Sequence, residues 1–129
     1  MFTQERNIAA MNNKSGVVLV LEDQALVSLD IEYALREAGF DVTVLRTCEE
    51  ADAWLEVCRP DIVIVDVILA DGPCHDVVGK LVEGNIPFVV HSGDQPSRHE
   101  GTPFALGRWI SKPSSPQVLV DAALALLPA

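Results

Sequence analysis

Four strand-length apolar runs in this chain lead into reactive polar groups: two into carboxylates, one into a hydroxyl and one into an ammonium. Residues 17–21 run into the acidic pair Glu22-Asp23, and residues 62–65 into Asp66. Residues 88–90 run into His91-Ser92, and residues 108–110 into Ser111-Lys112-Pro113. The fifth run is residues 40–45. Three runs are nearly all β-branched or Leu, which suits central strands covered on both faces. If all five lie parallel in one open sheet, their carboxyl ends share one edge, where such sheets bind ligands. Three carboxylates, a hydroxyl and an ammonium at that edge suit Mg²⁺ and a phosphoryl group.

Segments with helical spacing lie between the runs. Leu26, Leu29, Ile31, Tyr33, Ala34, Leu35 and Ala38 stripe the first, which Gly39 closes. Ala51, Trp54, Leu55 and Cys58 stripe the second, stopped by Arg59-Pro60. Val77, Val78, Leu81 and Val82 stripe the third, closed by Gly84-Asn85. The last helix is expected to start with Ser114 or Ser115 as N-cap and Pro116 in its first turn. A strand-helix unit repeated five times predicts a parallel sheet with helices on both faces. The fourth unit is weak. Pro96, Gly101, Pro103 and Gly107 crowd residues 93–107, so its helix is expected to be short, irregular or mobile.

At 129 residues the chain has the length of one domain with one core. A formal net charge of -10 argues against nucleic acid or an anionic membrane as partner. No apolar stretch approaches the ~20 residues needed to cross a bilayer. Residues 1–15 are polar, without the apolar centre of a signal peptide, and are expected to be a flexible tail preceding a domain at 16–129. Cytoplasm is the expected location. Cys48, Cys58 and Cys74 fit no CxxC or zinc spacing and read as small buried thiols in a reducing compartment. His75, His91 and His99 are too scattered to suggest a metal site.

The acidic pair, Asp66, Ser92 and Lys112-Pro113, in that order, resemble the motif residues of a response-regulator receiver domain, the phosphoacceptor half of two-component signalling. The resemblance covers residues 16–127 and implies a stand-alone receiver. It implies a flavodoxin-like doubly wound five-stranded parallel sheet of order 2-1-3-4-5. It implies that Asp66 accepts a phosphoryl group from a phosphohistidine, and that Glu22, Asp23, Asp66 and the backbone carbonyl of Ile68 hold Mg²⁺. By the same resemblance, Lys112 pairs with Asp66 or the phosphoryl oxygens, and Ser92 and Trp109 form the switch. The Lys112–Pro113 peptide is a cis candidate, and Ile68 and Asp94 set phosphoryl lifetime. An apolar Ile68 cannot orient an attacking water, so autodephosphorylation is expected to be slow. Such a domain is no enzyme beyond its own phosphorylation and dephosphorylation.

The implied partners are a histidine kinase or histidine phosphotransfer protein, docking on the first helix near Ala25, Leu26 and Leu29, and a downstream protein. The expected state is a monomer or weak homodimer. Ala70 and Cys74 stand where the family commonly has proline and glycine, and Ser114 stands where a large apolar residue is usual. A phosphate-independent adaptor with the same fold is the alternative. An aspartyl-phosphate hydrolase would carry a second acid where this chain has Ile68.

Overall fold

The computed structural model describes residues 16–127; the expected N-terminal tail at 1–15 lies outside the described residues. The elements in chain order are β1 (Gly16–Leu21), α1 (Ala25–Glu37), β2 (Phe40–Leu45), α2 (Cys48–Val57), β3 (Ile62–Val65), β4 (Ile68–Leu69), β5 (Gly72–Pro73), α3 (His75–Glu83), β6 (Phe88–Ser92), β7 (Arg108–Ser111) and α4 (Pro116–Leu126). Five strands form one parallel sheet in the order β2-β1-β3-β6-β7, while β4 and β5 make a separate antiparallel ladder. Counting only the strands of the parallel sheet, the order is 2-1-3-4-5, the flavodoxin-like arrangement.

The period of two along a strand divides the core into two layers. Leu19, Leu21, Val63, Val65, Phe88 and Val90 face α2 and α3, meeting Ala51, Val77, Val78 and Leu81. Val18, Val20, Ile62, Ile64 and Val89 face α1 and α4, meeting Ile31, Leu35, Leu119 and Val120. β3 supplies both layers and is buried at every position, which explains its unbroken β-branched run.

In α1 the predicted stripe divides in two. Ile31 and Leu35 are buried, whereas Leu26, Leu29 and Tyr33 are exposed. These three recur at i, i+3 and i+7, so they form a second stripe turned to solvent. At α4, Ser115 occupies the N-cap without a side-chain capping bond. The Ser114 hydroxyl instead lies 3.1 Å from Nε2 of His91.

Residues 93–107 form no α-helix. Two 3₁₀ turns, Pro96–His99 and Pro103–Leu106, replace it. The segment is nevertheless anchored, because Phe104 is fully buried and meets the rings of His75 and His99 edge-on. The expectation of three buried thiols is overturned, and Cys58 is exposed. Cys48 and Cys74 form a disulfide with Cα atoms 5.6 Å apart, and Cys58 alone is free. Each bonded cysteine starts a helix, and these helix starts meet although the residues are 26 apart in sequence.

Candidate functional site

The register of the sheet assembles the acidic edge. Leu21 of β1 sits beside Val65 of β3, so Glu22 and Asp66 leave the sheet side by side. Backbone bonds hold both turns: the Asp66 N–H donates to the Leu21 carbonyl at 3.0 Å, and the Glu22 N–H to the Leu45 carbonyl at 3.1 Å. At the other end, Ser92 of β6 pairs with Ser111 of β7, and the Lys112 N–H donates to the Ser92 carbonyl at 2.8 Å. The Lys112–Pro113 peptide that follows is cis.

From there Lys112 crosses the edge. Its Nζ donates to Oδ2 of Asp66 at 2.8 Å and to Oε1 of Glu22 at 2.9 Å. Asp66 Oδ1 accepts from the Val67 N–H at 2.8 Å, and Glu22 Oε2 accepts from the Gln24 N–H at 3.1 Å. Glu22 is only 2 % exposed. Partial burial alone would lower the Lys112 pKa, but the hydrogen bonds to Asp66 and Glu22 outweigh it and hold the ammonium above its usual value. Carboxylate oxygens of Glu22, Asp23 and Asp66 lie within 4.8 Å of one another. That donor set contains only hard oxygens, with neither nitrogen nor sulfur, and it fits Mg²⁺.

Glu22, Asp23, Asp66 and Lys112 therefore come together. The other sequence-predicted residues sit around them or apart. The Ser92 hydroxyl is buried and accepts from the Asp94 N–H at 3.0 Å. The Asp94 carboxylate belongs to a second cluster: it lies 2.9 Å from Nε2 of His99 and 3.6 Å from Arg98. That contact with His99, followed by the Gln95 N–H, holds its pKa below the ordinary carboxylate value. Trp109 stacks on the same histidine, with ring centroids 5.4 Å apart, and its buried Nε1 has no hydrogen-bond partner among the described residues. The Ile68 side chain is 60 % exposed in the loop after Asp66.

Sequence reasoning missed His91, His99 and Ser114. Strand alternation could have suggested that His91 is buried, but no spacing rule joins His99 to Asp94 and Trp109. Burial, and then the charge of Lys112, push the pKa of His91 down to about 4 from 6.5. The ring stays neutral in the folded chain while the unfolded chain takes up a proton below pH 6.5. The unfolded state thus binds more protons between those two values, and stability falls as pH drops through that window. The expected loss from pH 7 to pH 4 is about 2–3 kcal/mol. Denaturant unfolding across this range checks it: His91→Leu should show a shallower slope than wild type, and parallel slopes would remove His91 as the cause.

No family model matches the chain. Among curated proteins it is similar to the phosphate regulon transcriptional regulatory protein PhoB of Pseudomonas aeruginosa, at 24% identity over 116 residues, covering 85% of this chain. The chain spans about half the length of that relative, 51%. Among solved structures it is similar to the chemotaxis response regulator CheY4 of Vibrio cholerae, with a TM-score of 0.74 and 22% identity over 86% of this chain and 98% of that one. It is also similar to the response regulator PhyR from Brucella abortus, with a TM-score of 0.70 and 28% identity over 87% of this chain and 47% of that one. The chain is thus similar in sequence to response regulators, about half of whose length it spans, and its sheet order is the flavodoxin-like order of their receiver domains.

Proposed function

We propose that this chain is the phosphoacceptor of a two-component phosphorelay, with a histidine kinase or a histidine phosphotransfer protein as donor. The observation that carries this reading is the Lys112 ammonium, which bridges Asp66 at 2.8 Å and Glu22 at 2.9 Å. A carboxylate oxygen of Asp66 attacks phosphorus, the phosphorus–nitrogen bond breaks, and its electron pair returns to the departing imidazole. Lys112 is already placed to follow the transferring oxygens as a compact mobile charge. Glu22, Asp23 and Asp66, with the backbone carbonyl of Ile68, would hold Mg²⁺, which when bound neutralises charge on those oxygens.

The Ser92 hydroxyl then exchanges the Asp94 N–H for a phosphoryl oxygen, and Trp109 carries that change to the surface around β7 that a partner reads. The solvent-facing Leu26, Leu29 and Tyr33 of α1 suit a docking phosphodonor. Exposed and apolar, the Ile68 side chain offers an attacking water no hydrogen bond, which supports a long-lived aspartyl phosphate.

Incubation with acetyl phosphate and Mg²⁺, read by intact mass, tests the proposal. Wild type should gain one phosphoryl group and Asp66→Asn none. No gain by wild type from acetyl phosphate or from a phosphorylated histidine phosphotransfer protein would replace this reading with a phosphate-independent adaptor.

A further inference from the structure

The Cys48–Cys74 bond joins the start of α2 to the end of the loop that follows Asp66. That loop is a small closed unit. The Cys74 N–H donates to the Val67 carbonyl at 3.1 Å, and the β4–β5 ladder pairs Ile68 with Pro73 and Leu69 with Gly72. Asp71 docks the loop on the α2 N-terminus, accepting from the Cys48 N–H at 2.7 Å and the Glu49 N–H at 3.1 Å. Those two backbone bonds hold the Asp71 carboxyl below its ordinary pKa, Cys48 contributing most.

The two cysteines differ in burial. Cys74 is 1 % exposed, whereas Cys48 is only partly buried and its sulfur lies 3.4 Å from the Gly72 carbonyl. A reduced Cys48 therefore keeps a hydrogen-bond acceptor in place, so neither redox state strands it.

We propose that Cys48 and Cys74 form a reversible redox site that locks the phosphoacceptor loop when oxidised and loosens it when reduced. Cys48, the less buried of the two, is the attacking thiol and Cys74 the resolving one. With a small disulfide such as glutathione disulfide as oxidant, the Cys48 thiolate attacks one sulfur, and the first glutathione leaves as thiolate. The Cys74 thiolate then attacks the Cys48 sulfur and displaces the second. The protein loses two electrons to the glutathione disulfide, and the two protons released by its thiols end on the two glutathiones. Attack of a glutathione thiolate on the Cys48 sulfur reopens the bond by the reverse path.

The loop begins one residue after Asp66 and carries Ile68. Locking it therefore preorganises the acceptor edge, a consequence that rests on the phosphoacceptor reading, whereas the redox site itself does not.

The test uses Cys58→Ser, which removes the exposed free thiol, equilibrated over ratios of reduced to oxidised glutathione. Alkylation and intact mass should show Cys48 and Cys74 passing together from two labelled thiols to none. Amide hydrogen exchange in residues 67–74 should rise on reduction, and uptake of phosphoryl from acetyl phosphate should slow roughly five-fold or more. Cys48→Ser in the same background should behave as the reduced form at every ratio. Full labelling of both cysteines at all ratios overturns the proposal, as does exchange in 67–74 that ignores the redox state. If exchange responds while neither state takes up phosphate, the redox site is supported and the phosphoacceptor reading fails.

Discussion

Phe104→Ala is expected to lower the free energy of unfolding by about 3–5 kcal/mol, the range for deleting a buried aromatic ring. The ring is fully buried, yet it belongs to a segment of 3₁₀ turns rather than to a helix or strand. It meets His75 of α3 at 5.2 Å and His99 of the preceding turn at 5.7 Å, both edge-on. A segment with so few backbone bonds of its own cannot close over the cavity without giving up its path, so relaxation recovers little. Because His99 also carries the Asp94 contact and the Trp109 stack, the loss should spread locally first. Amide exchange across residues 93–107 should rise in the variant well beyond its rise in the sheet. Phe104→Leu, which keeps most of the volume, should cost about 1–2 kcal/mol. Denaturant unfolding decides the matter: a loss below about 1 kcal/mol for Phe104→Ala would mean that the ring anchors nothing.

That segment also shows where sequence reading stops. Two prolines and three glycines forbid a regular helix over residues 93–107, and none forms. The same residues say nothing about whether the segment is loose or pinned, because pinning depends on where one side chain lands. The strands were far more legible, since an unbroken run such as 62–65 has no good solution except burial on both faces. Glu22, Asp23, Asp66 and Lys112 could be read together because topology alone brings parallel strand ends to one edge. Asp94 could not: it lies two residues beyond its strand, and the turn, not the sheet, aims its carboxylate. In α1, Leu26, Leu29 and Tyr33 share the period of a core stripe, so periodicity cannot separate them from Ile31 and Leu35. The disulfide was invisible for a similar reason, because spacing rules see 26 residues between its cysteines while the fold sees adjacent helix starts.

Lys112→Met should separate two roles that one ammonium combines. Methionine keeps most of the length of the stem and its packing while removing the charge. Without Mg²⁺, the variant leaves the nearly buried Glu22 beside Asp66 with its cationic partner gone, a loss expected to be about 3 kcal/mol. Wild type already has a cation bridging two of the three carboxylates, so an incoming ion must compete with it for the same oxygens. In the variant that competitor is absent. Mg²⁺ should therefore bind more tightly and restore more stability than it adds to wild type, in proportion to the logarithm of concentration over Kd. Phosphoryl uptake should move the other way. Losing a preorganised charge at the transferring oxygens is expected to slow it by about 100-fold or more, however well the ion is held. Mg²⁺ titration followed by thermal unfolding, beside acetyl phosphate labelling, reads both quantities on one preparation. Unchanged Mg²⁺ affinity together with undiminished labelling would reduce the bridge to an ordinary surface ion pair worth under about 1 kcal/mol. Tighter Mg²⁺ with lost labelling would instead establish that Lys112 restrains the empty site and serves the reaction with the same nitrogen.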